Sequence, residues 1–239
     1  MNKGIIGAVL GVVIVAVVAV GAYFLFFSGG PAGPGGPGTG TGTEKTANAT
    51  LPGGMSAKQA ADKIVASATK QGRTMTYGSA SIDDGALVMK DVTVTMPATA
   101  GTAVTAPIKI GEMRLKKYDY DNPDLPKFAE LEYHKLSLAP LLTSPQAQEF
   151  LKMAGVEDIV VDIKASYTYD DTNKVLDVSN VEVEADKLAK IKMSMKLGGI
   201  DLAKMQAAQA GGKPDPAAMM GMMQTLQIRG ILYSHRKVS

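Results

Sequence analysis

Apolar residues run unbroken from Ile5 to Phe27, give way to a Gly/Pro-rich stretch, and are then replaced by long segments in which apolar and polar positions alternate. A helix of that first run reaches about 34 Å at 1.5 Å per residue, enough to cross a hydrocarbon core of about 30 Å. No charged side chain interrupts it. The pattern predicts a cytoplasmic tip at 1–4 and a single transmembrane helix over 5–27. Ser28 to Thr43 reads SGGPAGPGGPGTGTGT, with too few collagen-like triplets for a triple helix. It predicts a flexible linker that continues in weaker form to residue 55.

Residues 56–239 carry the signals of folded structure. Ser56 and Gln59 frame a capping box, after which Ala60, Ala61, Ile64, Val65 and Ala68 recur at helical spacing until Gly72. From Thr74 the period becomes two. Thr74–Ile82 and Ala86–Met96 flank Asp83-Asp84-Gly85, a hairpin signal, and Val104–Tyr118 reads as a third strand with a bulge at Gly111, where the apolar phase slips. A turn through Asp121-Asn122-Pro123 leads to a strand over Lys127–Leu138. Ser144 and Pro145 open a second short helix that ends near Ala154. Further strands are expected at Ile159–Tyr169, Val175–Glu184, Lys190–Leu197 and Leu226–Tyr233, with a helix at Asp201–Ala210 and a Met-rich helical turn around Gly221.

Tyr77 to Val94 and Tyr167 to Val183 share a hairpin pattern, and each follows a helix ending in glycine. That suggests related units over 56–143 and 144–212. The fold class expected is α+β: an N-terminal transmembrane helix, then a mainly antiparallel, curved β-meander sheet with a few short helices and two related halves.

Charge changes the picture little, with 25 basic against 23 acidic residues. No concentrated basic face is present, so no nucleic-acid partner is expected. Lys3 and the terminal amine precede the apolar run, and the next charges are Glu44 and Lys45. By the positive-inside rule the N-terminus is cytoplasmic and the bulk lies outside, in the periplasm of a bacterium. The run is longer than the core of a signal peptide and ends in Tyr-Phe-Leu-Phe-Phe, which favours an uncleaved anchor. The absence of cysteine removes disulfides, thiolate metal sites and a cysteine nucleophile.

Tyr167, Tyr169, Asp170, Leu176 and Val178, with Asp84, Gly85, Leu87, Asp91 and Val92, carry a Tyr-x-Tyr-Asp…Leu-x-Val hairpin pattern behind an N-terminal anchor. In this the chain resembles bacterial envelope proteins of the AsmA-like and YdgA-like kind. The resemblance implies an inner-membrane-anchored periplasmic domain with a curved sheet, in some members presenting a lipid-accommodating groove. The chain is much shorter than typical members, which argues against a bridging or lipid-conduit role.

Candidate sites are few. Gly7 and Gly11 form a GxxxG suited to close packing of membrane helices, hence to a membrane-protein partner or a second copy. Met219, Met220, Met222 and Met223 form a candidate apolar partner surface. His134 and His235 fall in neither a triad nor a metal spacing. Asp119, Asp121, Asn122 and Asp124 cluster in one turn but lack the glycine and terminal glutamate of a calcium loop. No nucleophile elbow, phosphate loop or zinc-protease motif is present. No catalytic residue, cofactor or metal is expected. Two functions remain: a membrane-anchored periplasmic binding or assembly protein in envelope biogenesis, holding a lipid or apolar partner on its sheet, or a structural accessory subunit of a membrane complex, docking through its span and an open strand edge.

Overall fold

The structure, a computed structural model, describes residues 43–44, 50–95, 106–142, 148–149, 151–152, 158–185, 189–201 and 227–236. Ten strands form one sheet: β1 (Thr43–Glu44), β2 (Thr74–Thr76), β3 (Ser79–Asp83), β4 (Ala86–Thr95), β5 (Ile108–Tyr118), β6 (Phe128–Ser137), β7 (Val160–Asp170), β8 (Val175–Ala185), β9 (Ala189–Gly198) and β10 (Gln227–Arg236). From β3 to β10 every strand pairs antiparallel with the next in sequence. The short β2 also pairs with β4, and β1 joins β3 in parallel.

Helix α1 (Ala57–Lys70) packs on β2, β3 and β4. Ser56 Oγ accepts the Gln59 N–H at 3.3 Å while Gln59 Oε1 accepts the Ser56 N–H at 2.9 Å, so the capping box is formed. The buried stripe is Ala57, Ala60, Ala61 and Val65, small side chains that let the helix lie close to the sheet. Leu51, within the stretch read as linker, is already part of the packed core.

The α+β expectation is corrected by this topology. The described chain is one antiparallel meander carrying a single α-helix with described bounds, and the boundary expected between two halves at 143/144 falls inside a continuous sheet. There β6 pairs with β7 from Phe128↔Thr168 to Ser137↔Val160. Local hairpin patterns in the two stretches are alike, but consecutive pairing joins them into one layer. No helix among the described residues is long and apolar enough to cross a membrane. The span expected at 5–27 and the Met-rich turn lie outside the described residues; of the helix expected at Asp201–Ala210 only Asp201 is described, outside any helix, and of the helix expected at 144–154 only residues 148–149 and 151–152 are described, as helical.

The phase slip expected at Gly111 belongs to three strands rather than one. In β4 the buried positions move from Leu87 and Met89 to Val92 and Val94; in β5 they move from Ile108 and Ile110 to Met113 and Leu115; in β6 from Leu131 to Leu136. The slips sit side by side at Asp91, Gly111 and Lys135. Asp91 and Lys135 both adopt left-handed backbone, φ 52° and 55°. A Cβ on Gly111 would meet the Lys135 Cβ at 3.1 Å, so glycine suits this crossing. β7 keeps one phase through Val161, Ile163 and Ala165, and the mismatch is absorbed as a register shift between Tyr133 and Leu136.

Candidate functional site

Period-two alternation sorts the sheet into an apolar face and an ionic one. Leu87, Met113, Leu131, Ile163, Val183 and their neighbours fill a core shared with α1. Of the large hydrophobic side chains described, Phe128 and Val160 are the exposed ones. The apolar face is thus occupied by the chain's own residues.

On the opposite face, most charged cross-strand partners are of opposite sign, although Asp162 stands opposite Glu184. One row runs Arg114, Glu132, Lys164, Glu182, Lys192 from β5 to β9. Arg114 meets Asp83 at 2.6 Å; Glu132 lies 2.7 Å from Lys116 and 3.5 Å from Lys164. Glu182 accepts both Lys190 and Lys192 at 2.5 Å, Lys190 also reaches Glu184 at 2.7 Å, and Lys196 meets Asp177 at 2.8 Å. Opposite charges directly across a sheet are favourable and like charges are not. Burial raises the Glu132 carboxyl, but the Lys116 and Lys164 ammoniums outweigh it and hold the group below the usual range. Glu182 is held down by Lys190 and Lys192.

His134 stands within this face. Its Nδ1 lies 3.0 Å from Asp162 Oδ2 and its Nε2 3.6 Å from Glu132 Oε2.

A second cluster forms where α1 meets the turn after β5. Lys63 donates to the Tyr120 carbonyl at 3.2 Å, Ser67 Oγ to the Pro123 carbonyl at 2.8 Å and Lys70 to Asp124 at 2.8 Å. From the sheet, the Tyr118 and Tyr167 hydroxyls donate to the carbonyls of Pro123 and Pro126. Burial, then neighbouring tyrosines, pushes both phenols up; burial alone takes Tyr120 up to about 12. Tyr133 reaches about 12 by burial, against the opposing pull of Arg73. High phenol pKa values keep these hydroxyls neutral, and those of Tyr118 and Tyr167 serve as donors in a packed joint.

Comparison of the chain with protein-family models, with curated proteins and with solved structures finds no match. The chemistry must therefore be argued from the chain's own residues.

Among the sequence candidates, Asp119 is a turn brace: its carboxylate accepts the Asn122 N–H, the Asn122 amide and the Lys127 N–H at 3.1–3.2 Å. No group of three metal-ligating side chains occurs among the described residues. His134 and His235 lie on β6 and β10. Gly7, Gly11, Met219, Met220, Met222 and Met223 lie outside the described residues. Sequence reading missed the ionic face. Its signal was present in the polar positions of successive strands: Asp177, Glu182 and Glu184 are all acidic, and Lys190, Lys192 and Lys196 all basic.

Proposed function

We propose that the protein is a membrane-attached, non-enzymatic assembly protein that docks a partner through the open end of its sheet. The observation that carries this reading is topological. The meander ends on β10, a ten-residue strand that pairs β9 on one side and no strand on the other among the described residues. An unpaired edge of that length is a template for strand addition. The apolar run at 5–27 supports attachment to a membrane, with the sheet on the periplasmic side of a bacterial inner membrane. Association of spans through Gly7 and Gly11 would add to the same assembly.

The lipid-holding reading, implied by the resemblance to AsmA-like and YdgA-like proteins, is less favoured, because α1 covers the apolar face at β2–β4 and Phe128 and Val160 are the exposed large hydrophobic side chains among the described residues. The Met219–Met223 surface would serve that reading or an apolar protein partner.

Cross-linking in membranes, mild detergent extraction and mass spectrometry of co-purifying proteins and lipids test the assignment. A cross-linked protein partner is the expected result. A monomer carrying stoichiometric lipid would instead establish the lipid-holding function.

A further inference from the structure

One carboxylate on the ionic face lacks the kind of partner its neighbours have. Glu112, Glu130, Glu132, Asp177, Glu182 and Glu184 each meet a lysine or an arginine. Asp162 stands opposite Glu184, like charge against like, and among the described residues its ion-pair partner is the His134 imidazole. That imidazole has carboxylates on three sides. Glu112 lies across the ladder on β5, Asp162 Oδ2 is 3.0 Å from Nδ1 on the β7 side, and Glu132 Oε2 is 3.6 Å from Nε2 on its own strand. The cations nearby serve other acids: Lys90 and Arg114 meet Glu112, Lys116 and Lys164 meet Glu132, and Lys190 meets Glu184. Lys164 also attracts Asp162 from farther off, and Lys135 gives it a main-chain N–H at 2.8 Å.

A neutral imidazole has one N–H to share between its two nitrogens. With Nδ1 donating to Asp162, Nε2 turns a lone pair toward Glu132. Only the imidazolium presents a donor to both carboxylates, and it also brings the positive charge that the Asp162–Glu184 pair lacks. Histidine is the side chain that gains such a charge between about pH 5 and 8.

We propose that His134 is a proton-operated latch on the seam between β6 and β7. Its charged form ties Asp162 on β7 to Glu132 on β6 and offsets the repulsion between Asp162 and Glu184; its neutral form leaves Asp162 facing a like charge. The latch sits at the register shift between Tyr133 and Leu136, where the ladder is interrupted. Because the protonated form has the partners, its contribution is present in mild acid and is lost as pH rises through the imidazole range. Asp162 has to remain ionised for this. Burial raises its carboxyl, but the Lys135 N–H and the imidazole outweigh burial and hold it below the usual range, so it is charged throughout that window.

The test follows exchange of the Lys135 amide hydrogen by nuclear magnetic resonance, in the full-length protein in detergent micelles, corrected for the intrinsic pH dependence of exchange. Protection should be at least about fivefold greater at about pH 5.5 than at about pH 7.5, and added salt should shrink the difference. His134→Gln, which keeps a neutral donor, should abolish the difference. Asp162→Asn should abolish it too while leaving an amide oxygen for the Lys135 N–H. His235→Gln, which removes the other imidazole of the chain, should preserve it.

Equal protection at the two pH values in the unaltered protein overturns the proposal. A difference that survives His134→Gln, or that vanishes with His235→Gln, places the responsible proton elsewhere and overturns it as well. Should His134→Gln fail to fold, Asp162→Asn decides in its place, and a difference that persists there removes the latch.

Discussion

Asp162 Oδ1 accepts the main-chain N–H of Lys135 at 2.8 Å, while its Oδ2 lies 3.0 Å from Nδ1 of His134. One carboxylate on β7 thereby holds both residues at which β6 slips phase. Burial raises its pKa, but the Lys135 N–H and the His134 ring outweigh that and hold it below the usual range. A carboxyl whose folded pKa is depressed contributes stability that is present above the unfolded pKa and lost as pH falls through the folded one. Stability should therefore drop below about pH 4, in part through Asp162. At pH 7 Asp162→Asn should cost about 1 kcal/mol, because the side chain is half-exposed and solvent screens part of the charge. Urea unfolding at several pH values checks this. An unchanged acid slope in the variant would remove Asp162 from the account.

Lys135 supplies a second, counter-intuitive expectation. Its φ of 55° is costly for an L side chain, and the residue is exposed. Lys135→Gly keeps the N–H that Asp162 accepts and relieves the left-handed strain. It should stabilise the protein by about 1 kcal/mol, partly offset by the added freedom of the unfolded chain. Lys135→Val should destabilise by more than that, since a β-branched residue tolerates this region worst. Thermal unfolding of both variants decides; a loss with glycine would show that the lysine side chain, not the backbone, matters here.

Most strands were legible because one face of a solvated antiparallel sheet has to alternate. Asp83-Asp84-Gly85 and Asp170–Lys174 mark hairpins by turn chemistry alone, with left-handed residues at Asp84, Gly85 and Lys174. Ser56 and Gln59 marked α1 for the same local reason. Joining the units into one meander was not legible, since the strongest hairpin signals suggested a repeat while the β6–β7 pairing depends on long-range register. The slip at Gly111 was visible, but its spread to Asp91 and Lys135 is a property of three strands aligned. The ionic face escaped notice because each charge reads singly as a solvated position. Only the register shows Arg114, Glu132, Lys164, Glu182 and Lys192 in one row.

Three tyrosines, Tyr118 and Tyr120 beside the joint between α1 and the sheet and Tyr169 near the end of β7, should respond unequally to loss of the hydroxyl. Tyr120 Oη is buried without a hydrogen-bond partner, so Tyr120→Phe should be neutral or slightly stabilising. Tyr118 donates to the Pro123 carbonyl, which Ser67 also serves, so Tyr118→Phe should cost under about 0.5 kcal/mol. Tyr169 donates at 2.8 Å to the Ile200 carbonyl in a buried setting, and Tyr169→Phe should cost about 1–2 kcal/mol. Chemical denaturation of the three variants gives the order. Equal losses would mean that ring packing rather than hydrogen bonding governs these tyrosines.

Glu182 offers the clearest test of whether the ionic rows stabilise the sheet or only decorate it. Exposed ion pairs taken singly contribute about 0–1 kcal/mol. Glu182, however, accepts two lysines at once and is largely covered, with 13% of its side chain exposed. Glu182→Lys would add a fourth ammonium group to those of Lys164, Lys190 and Lys192 around one position, and should cost about 2 kcal/mol from the lost pairs and the new repulsion together. Adding Lys192→Glu returns an opposite pair across the same β8–β9 position. The double variant should recover about half of the loss, so that its cost falls at least about 1 kcal/mol short of the sum of the two single variants, a shortfall that separate, non-interacting sites would not show. Raising salt should shrink both the loss and the recovery, because the charges lie at the surface. Strict additivity at low salt would mean that the rows follow from solvent exposure alone, and that the sheet gains its register from the apolar face.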